Sequence, residues 1–139
     1  TLLSSLVSNS TQMLGAEWDI EILEMHHKHK IDAPSGTALL LGKSAAEARG
    51  QDLSSVKSVS RNGTVGKRKE SEIGFAVLRG GDVVGEHTVI FSSSGERIEL
   101  AHKATDRSIF ASGALRASYW AATADPGLYS LSDVLKNGG

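Results

Sequence analysis

Apolar and polar positions alternate in two different rhythms along this chain, and the switches between them mark its elements. Leu2, Leu3, Leu6, Val7, Met13 and Leu14 form a helical stripe that ends at Gly15. Trp18, Ile20, Ile22 and then Met25 are separated mostly by acidic residues, which predicts a strand over Trp18–Met25. His26–Pro34 reads as a loop at the end of that strand. Pro34 is tolerated at a helix edge but not inside one, and Ser35 or Thr37 is a suitable cap. Ala38, Leu39, Leu40, Leu41, Ala45, Ala46 and Ala48 then predict a helix running to Gly50.

Val56–Ser60 reads as a short strand. Arg61–Glu72 is polar, with Asn62-Gly63 and Gly66, and reads as a mobile loop in which Lys67-Arg68-Lys69 is a solvated run of charge. Strands are expected at Ile73–Arg79, Val83–Phe91 and Glu96–Lys103, with hairpin-sized connections at Gly80-Gly81 and Ser92–Gly95. Arg107–Ala124 returns to helix, with Ile109, Phe110, Ala114, Leu115, Ala117, Ser118 and Ala121 as its expected buried face. Trp18, Trp120, Phe75, Phe91 and Phe110 are expected in a core or an interface. A short helix over Leu131–Leu135, capped by Ser130 or Ser132, closes the chain. The order predicts an α+β fold. Its mixed, largely antiparallel sheet carries helices on one face and leaves the other available for subunit association.

At 139 residues the chain fits one domain, and a chain of this size buries roughly two-thirds of its unfolded surface. Fifteen Lys and Arg balance sixteen Asp and Glu, so no basic field is present to hold nucleic acid. No apolar run approaches the ~18 residues of a membrane span. With no cysteine there are neither disulfides nor thiolate metal sites, which fits a cytoplasmic protein. No signal peptide is visible. The chain opens without Met and within a helical stripe, so it is expected to be part of a longer polypeptide, or one with segments missing.

The chemistry concentrates in Glu24–Ala38, EMHHKHKIDAPSGTA. A helix start has free amides, and its dipole favours an anion. Gly36 leaves room for a close approach, Thr37 adds a hydroxyl, and Lys30 stands five residues upstream of the Ser35-Gly36-Thr37 turn. Alone, that turn is an ordinary helix cap; beside the histidine-lysine run it reads as a site for a small carboxylate. His26 or His27 can exchange a proton near neutral pH, whereas His29 reads as structural. If His26 and His27 end a strand, their side chains face opposite ways. The three histidines invite a zinc reading, but no HExxH pattern or cysteine accompanies them, and no metal is expected. His87, His102, Lys103 and Arg107 are weaker candidates for the rim of the same pocket. The glycines at 80, 81 and 85 sit between strands and fail the context of a dinucleotide loop.

His26-His27-Lys28-His29-Lys30 followed by Asp32-Ala33-Pro34-Ser35-Gly36-Thr37-Ala38 resembles the signature of the 4-hydroxy-tetrahydrodipicolinate reductase family. The likeness continues through Ile73-Gly74-Phe75, Arg79-Gly80-Gly81, Val84-Gly85-Glu86-His87, Gly95-Glu96-Arg97, His102-Lys103-Ala104 and Gly127-Leu128-Tyr129, over nearly the whole chain. The resemblance implies an enzyme of the diaminopimelate route to lysine, in which NADPH or NADH reduces a cyclic dicarboxylate. It implies a Rossmann domain for the nucleotide, absent here, and a second α+β domain, which this chain resembles. That domain binds substrate and forms a homotetramer through its sheets. By the same resemblance His26 corresponds to the general acid and His27 to a substrate contact. Lys30 corresponds to a carboxylate-holding lysine implicated in proton transfer. Gly36 and Thr37 correspond to the pair that grips the second carboxylate. The rival expectations are a domain that serves assembly alone and a zinc-dependent hydrolase.

Overall fold

The computed structural model describes residues 2–137. Strands β1 (Asp19–His26), β2 (Lys57–Ser58), β3 (Ile73–Arg79), β4 (Gly85–Ser93) and β5 (Glu96–Ala104) form one sheet in the order β2-β3-β1-β4-β5. The sheet is mixed: β3 runs parallel to β1 and to β2, while β4 is antiparallel to both β1 and β5. Helices α1 (Leu2–Leu14) and α2 (Gly36–Ala48) cover one face. Ile20 and Ile22 of β1, Ile73 and Phe75 of β3, and Val89 and Phe91 of β4 point at Val7 of α1 and at Ala38, Leu41, Ala45 and Ala46 of α2. The period-2 burial along β1 and β4 is what two-sided strands require when only one face is covered. Ser35 caps α2, its hydroxyl accepting from the Ala38 amide at 3.2 Å.

Several expectations change. The 80–84 link is not a hairpin, because β1 lies between β3 and β4. It straddles the end of β1 and is stitched to it: Gly80 N–H donates to His26 O at 3.0 Å, His27 N–H to Val83 O at 2.8 Å and Lys28 N–H to Gly81 O at 3.2 Å. The expected strand over Val56–Ser60 shrinks to β2, preceded by a short helix α3 (Leu53–Val56) capped by Asp52.

Helix α4 (Ser108–Ala121) buries none of its residues, and Phe110 is 63 % exposed, so its expected buried face is open in this chain. The reason is occupancy. α1 and α2 already fill the covered face, and α4 packs chiefly on α5 (Leu131–Asn137). Ser130, the cap of α5, donates its amide and hydroxyl to Asp133, and Trp120 meets Tyr129 edge-on at 4.8 Å. The loop read as mobile is tied to the open face. Arg61 and Arg68 both grip Glu21, and Arg68 also reaches Asp19, so Arg68 is not part of a solvated charge run.

Candidate functional site

The end of β1 builds the site, and a buried carboxylate organises it. Glu24 follows Ile20 and Ile22 on the covered face and is fully buried. An ionised carboxylate there is costly unless every oxygen is partnered, and here each is. Arg79, on the end of β3, donates to Oε2 at 2.9 Å and to Oε1 at 3.1 Å. The Ser35 amide donates to Oε1 at 2.9 Å, and His26 Nδ1 lies 2.5 Å from Oε2. Burial pushes the Glu24 carboxyl up, but the Arg79 guanidinium, the Ser35 amide and the His26 ring outweigh it and hold it below the ordinary range. Glu24 is therefore charged, and His26 Nδ1 carries the proton between them. The Nε2 edge of His26 is left facing Gly85, where a Cβ would approach it to 3.1 Å.

His87, on β4, stands beside His26 with the rings edge-on at 5.1 Å. Its Nε2 is 3.0 Å from the Ser35 hydroxyl. Since that hydroxyl already accepts from Ala38, its own proton is free to go to His87. Burial first, and then the positive potential of His26, push the His87 pKa down to about 4, so its ring is neutral near pH 7. His26, His87, His102 and Thr37 line a cavity of about 450 Å³, walled on its apolar side by Leu40, Phe110, Leu131 and Leu135.

The other predicted residues divide around this cavity. His27 turns the opposite way from His26, as strand alternation requires. It lines a second hollow of about 540 Å³ with Lys28, His29, Gly81, Asp82 and Arg107. Its Nδ1 is buried without a hydrogen-bond partner among the described residues. Burial, then the charge of Arg107, lowers its pKa. Lys30 lies in the loop between and donates to Asp32 Oδ1 at 2.6 Å. Gly36 and Thr37 form the exposed first turn of α2, where the first amides of a helix have no intrahelical partner.

His102 and Arg107, weaker candidates in the sequence, fall on one hollow each. Glu24, Ser35 and Arg79 were the residues to find. The available signal was an acidic side chain on the apolar phase of β1, which cannot stay there unpaired. Among the described residues no group of three or more His, Asp or Glu is arranged to hold a metal ion. The two strand-to-helix connections, residues 27–35 and 105–107, contain no glycine. Among the described residues those two connections therefore lack the glycine-rich turn of the dinucleotide fingerprint.

The site sits on the covered face, at the carboxyl ends of β1 and β3 in a mixed α+β sheet, and the class the fold defines is a small α+β domain with one open sheet face. Its sequence relatives sharpen that description. Residues 1–135 match the family described as dihydrodipicolinate reductase, C-terminus, and the chain belongs to that family. It is 60 % identical over 134 residues to the 4-hydroxy-tetrahydrodipicolinate reductase of Rhodopseudomonas palustris strain HaA2. It is 58 % identical over 134 residues to that of Parvibaculum lavamentivorans, covering 96 % of this chain and 49 % of the relative. The chain thus spans about half the length of the curated relatives it matches. A solved dipicolinate-bound dihydrodipicolinate reductase from Paenisporosarcina sp. TG-14 has the same fold. It gives a TM-score of 0.60 at 23 % identity over 97 % of this chain and 47 % of that one.

Proposed function

We propose that this chain is the substrate-binding part of a 4-hydroxy-tetrahydrodipicolinate reductase, and that its ligand is a small cyclic dicarboxylate. The observation that carries the reading is the cavity that joins His26 to Thr37 at the start of α2, with the Lys30 loop tied through Arg79 to the Glu24 that holds His26. The amides of Gly36 and Thr37, with the Thr37 hydroxyl, take one carboxylate. Lys30 takes the other after exchanging Asp32 for it, and an exposed ion pair of that kind costs only about 0–1 kcal/mol to give up. Asp32 is half-exposed and leaves readily. His26 presents Nε2 to the ring and holds or delivers a proton there, with Lys30 the second proton-handling group. The family resemblance makes His27 a further ligand contact, from the hollow it lines with Arg107.

The hydride of such a reduction comes from NADPH or NADH. The family resemblance assigns that cofactor to an N-terminal Rossmann domain, and the greater length of the relatives, of which this chain spans 49 %, supports the assignment. The bare sheet face, with Leu23, Met25, Ala76, Leu78 and Ile90 directed outward, is suited to pairing with copies of itself in a homotetramer, and the setting is the cytoplasm. The names of the relatives support the reductase reading.

Calorimetric titration of the reductase containing this chain with pyridine-2,6-dicarboxylate tests the site. Lys30→Ala and Thr37→Ala should each weaken binding at least about tenfold, since a charged hydrogen bond contributes roughly 1.5–3 kcal/mol. Unchanged affinity in both variants would remove the assignment.

A further inference from the structure

Buried Glu24 and partly buried Arg79 form a unit that touches the His26 strand end, the Lys30 loop and the start of α2 without lining the cavity. Arg79 holds Glu24 with both arms of its fork and donates from Nη2 to the Asp32 carbonyl at 2.8 Å. It thereby ties the Lys30 loop to the sheet. Glu24 in turn holds the Ser35 amide just before the α2 start, and His26 Nδ1. One carboxylate therefore fixes the histidine, and through one guanidinium and one amide it also fixes the two elements that carry Lys30 and Gly36-Thr37. His26 shows the same economy from the other side. A carboxylate at Nδ1 selects the tautomer of the ring and leaves Nε2 as the edge that meets a ligand.

We propose that Glu24 and Arg79 are positioning residues of the site, Glu24 setting the tautomer and aim of His26 and Arg79 locking Glu24 to the Lys30 loop. The inference rests on the reductase reading for its kinetic consequence, but not for its structural one. With a neutral partner at Nδ1, the His26 proton is no longer committed to that nitrogen. The ring then divides between tautomers, and Nε2 is no longer the edge consistently offered to a ligand.

The experiment uses the full-length reductase carrying this chain and compares wild type, Glu24→Gln, Glu24→Asp and Arg79→Lys. Ring nitrogen-15 NMR of His26 reads the tautomer directly. Steady-state pH profiles read kcat against KM. Glu24→Gln is expected to shift the His26 ring signals, to move the pH profile of kcat, and to lower kcat about 10–100-fold, by analogy with the loss of a partner behind a metal-ligating histidine. KM should change far less. Glu24→Asp should recover part of kcat. Arg79→Lys keeps the charge but loses the fork, and should lower kcat less than Glu24→Gln while raising KM through the loosened Lys30 loop.

If Glu24→Gln does not fold, the double variant Glu24→Gln/Arg79→Met removes both buried charges together and is read in the same way. An unchanged His26 tautomer and an unchanged pH profile in either variant overturns the proposal. Wild-type protein that binds no dicarboxylate and reduces nothing would defeat the functional reading instead, while the NMR result would still decide whether Glu24 positions His26.

Discussion

Glu21 and Glu24 sit on the same strand and are each gripped by arginine, yet they do different work because β1 turns them to opposite faces. On the open face Glu21 receives Arg61 through two bonds of 2.8 Å and Arg68 through one of 3.0 Å. The carboxylate is partly solvated, and the effect is to fasten a loop. On the covered face Glu24 has no water, and its partners come from the ends of β1 and β3 and from the start of α2. There the same chemistry aims a histidine. Burial decides the difference: it turns a staple, which the fold can lose, into a group whose partners must all be present at once.

The sharpest way to break the comparison is to remove the buried carboxylate. Glu24→Ala takes the buried acceptor from the Arg79 guanidinium, the Ser35 amide and His26 Nδ1 together and should destabilise the protein by about 3–5 kcal/mol, measured by chemical denaturation. Acid is the next largest lever. The His87 pKa is about 4 in the fold against 6.5 for the ordinary group, so between these values the unfolded chain binds a proton that the folded one refuses. Stability should be intact above pH 6.5 and fall as pH drops towards 4, by on the order of 3 kcal/mol in all. His87→Asn should flatten that dependence when denaturation is followed across pH. Protonation of Glu24 would add a second loss at lower pH.

The open face has its own test. Gly74 lies opposite Glu21, and a Cβ there would stand 1.9 Å from the carboxylate. Gly74→Ala should cost about 1–3 kcal/mol by overpacking and release the Arg61–Arg68 loop, seen as faster hydrogen exchange there. The smallest expected effect is at Asp32. Asp32→Asn removes the competitor for Lys30 and should tighten pyridine-2,6-dicarboxylate binding by about fivefold at most, as an exposed pair allows.

Much of this was written in local pattern. The alternation of Ile20 and Ile22, the Ser35 cap and the glycine-bounded strands placed β1, α2, β3, β4 and β5 within a residue or two, the largest shift being β4, which runs Gly85–Ser93 where Val83–Phe91 was expected. The HHKHK…DAPSGT run lies at the corner of the fold where Glu24, Arg79 and His87 meet. What sequence could not supply were relations between distant segments. Arg79 finds Glu24 from 55 positions away, and His87 finds Ser35 from 52. The insertion of β1 between β3 and β4 likewise turned an expected hairpin into a bridge over the site. Phe110 and Leu115 looked like core because hydrophobicity signals burial against something, without saying that α1 and α2 had already taken the sheet.

The alternation that places Glu24 inside also gives the chain a means of rejecting wrong alignments. A slip of one residue along β1 would rotate Glu24 outward, turn Leu23 and Met25 inward, and leave the Arg79 fork with nothing to hold. Greasy residues alone would tolerate such an error, since leucine and methionine fill a core almost as well as isoleucine. A charge that is acceptable in one alignment only does not. The sheet is thus proofread at the strand end where the chemistry is proposed to occur, and a chain that has paired its strands correctly has, by the same act, assembled its site.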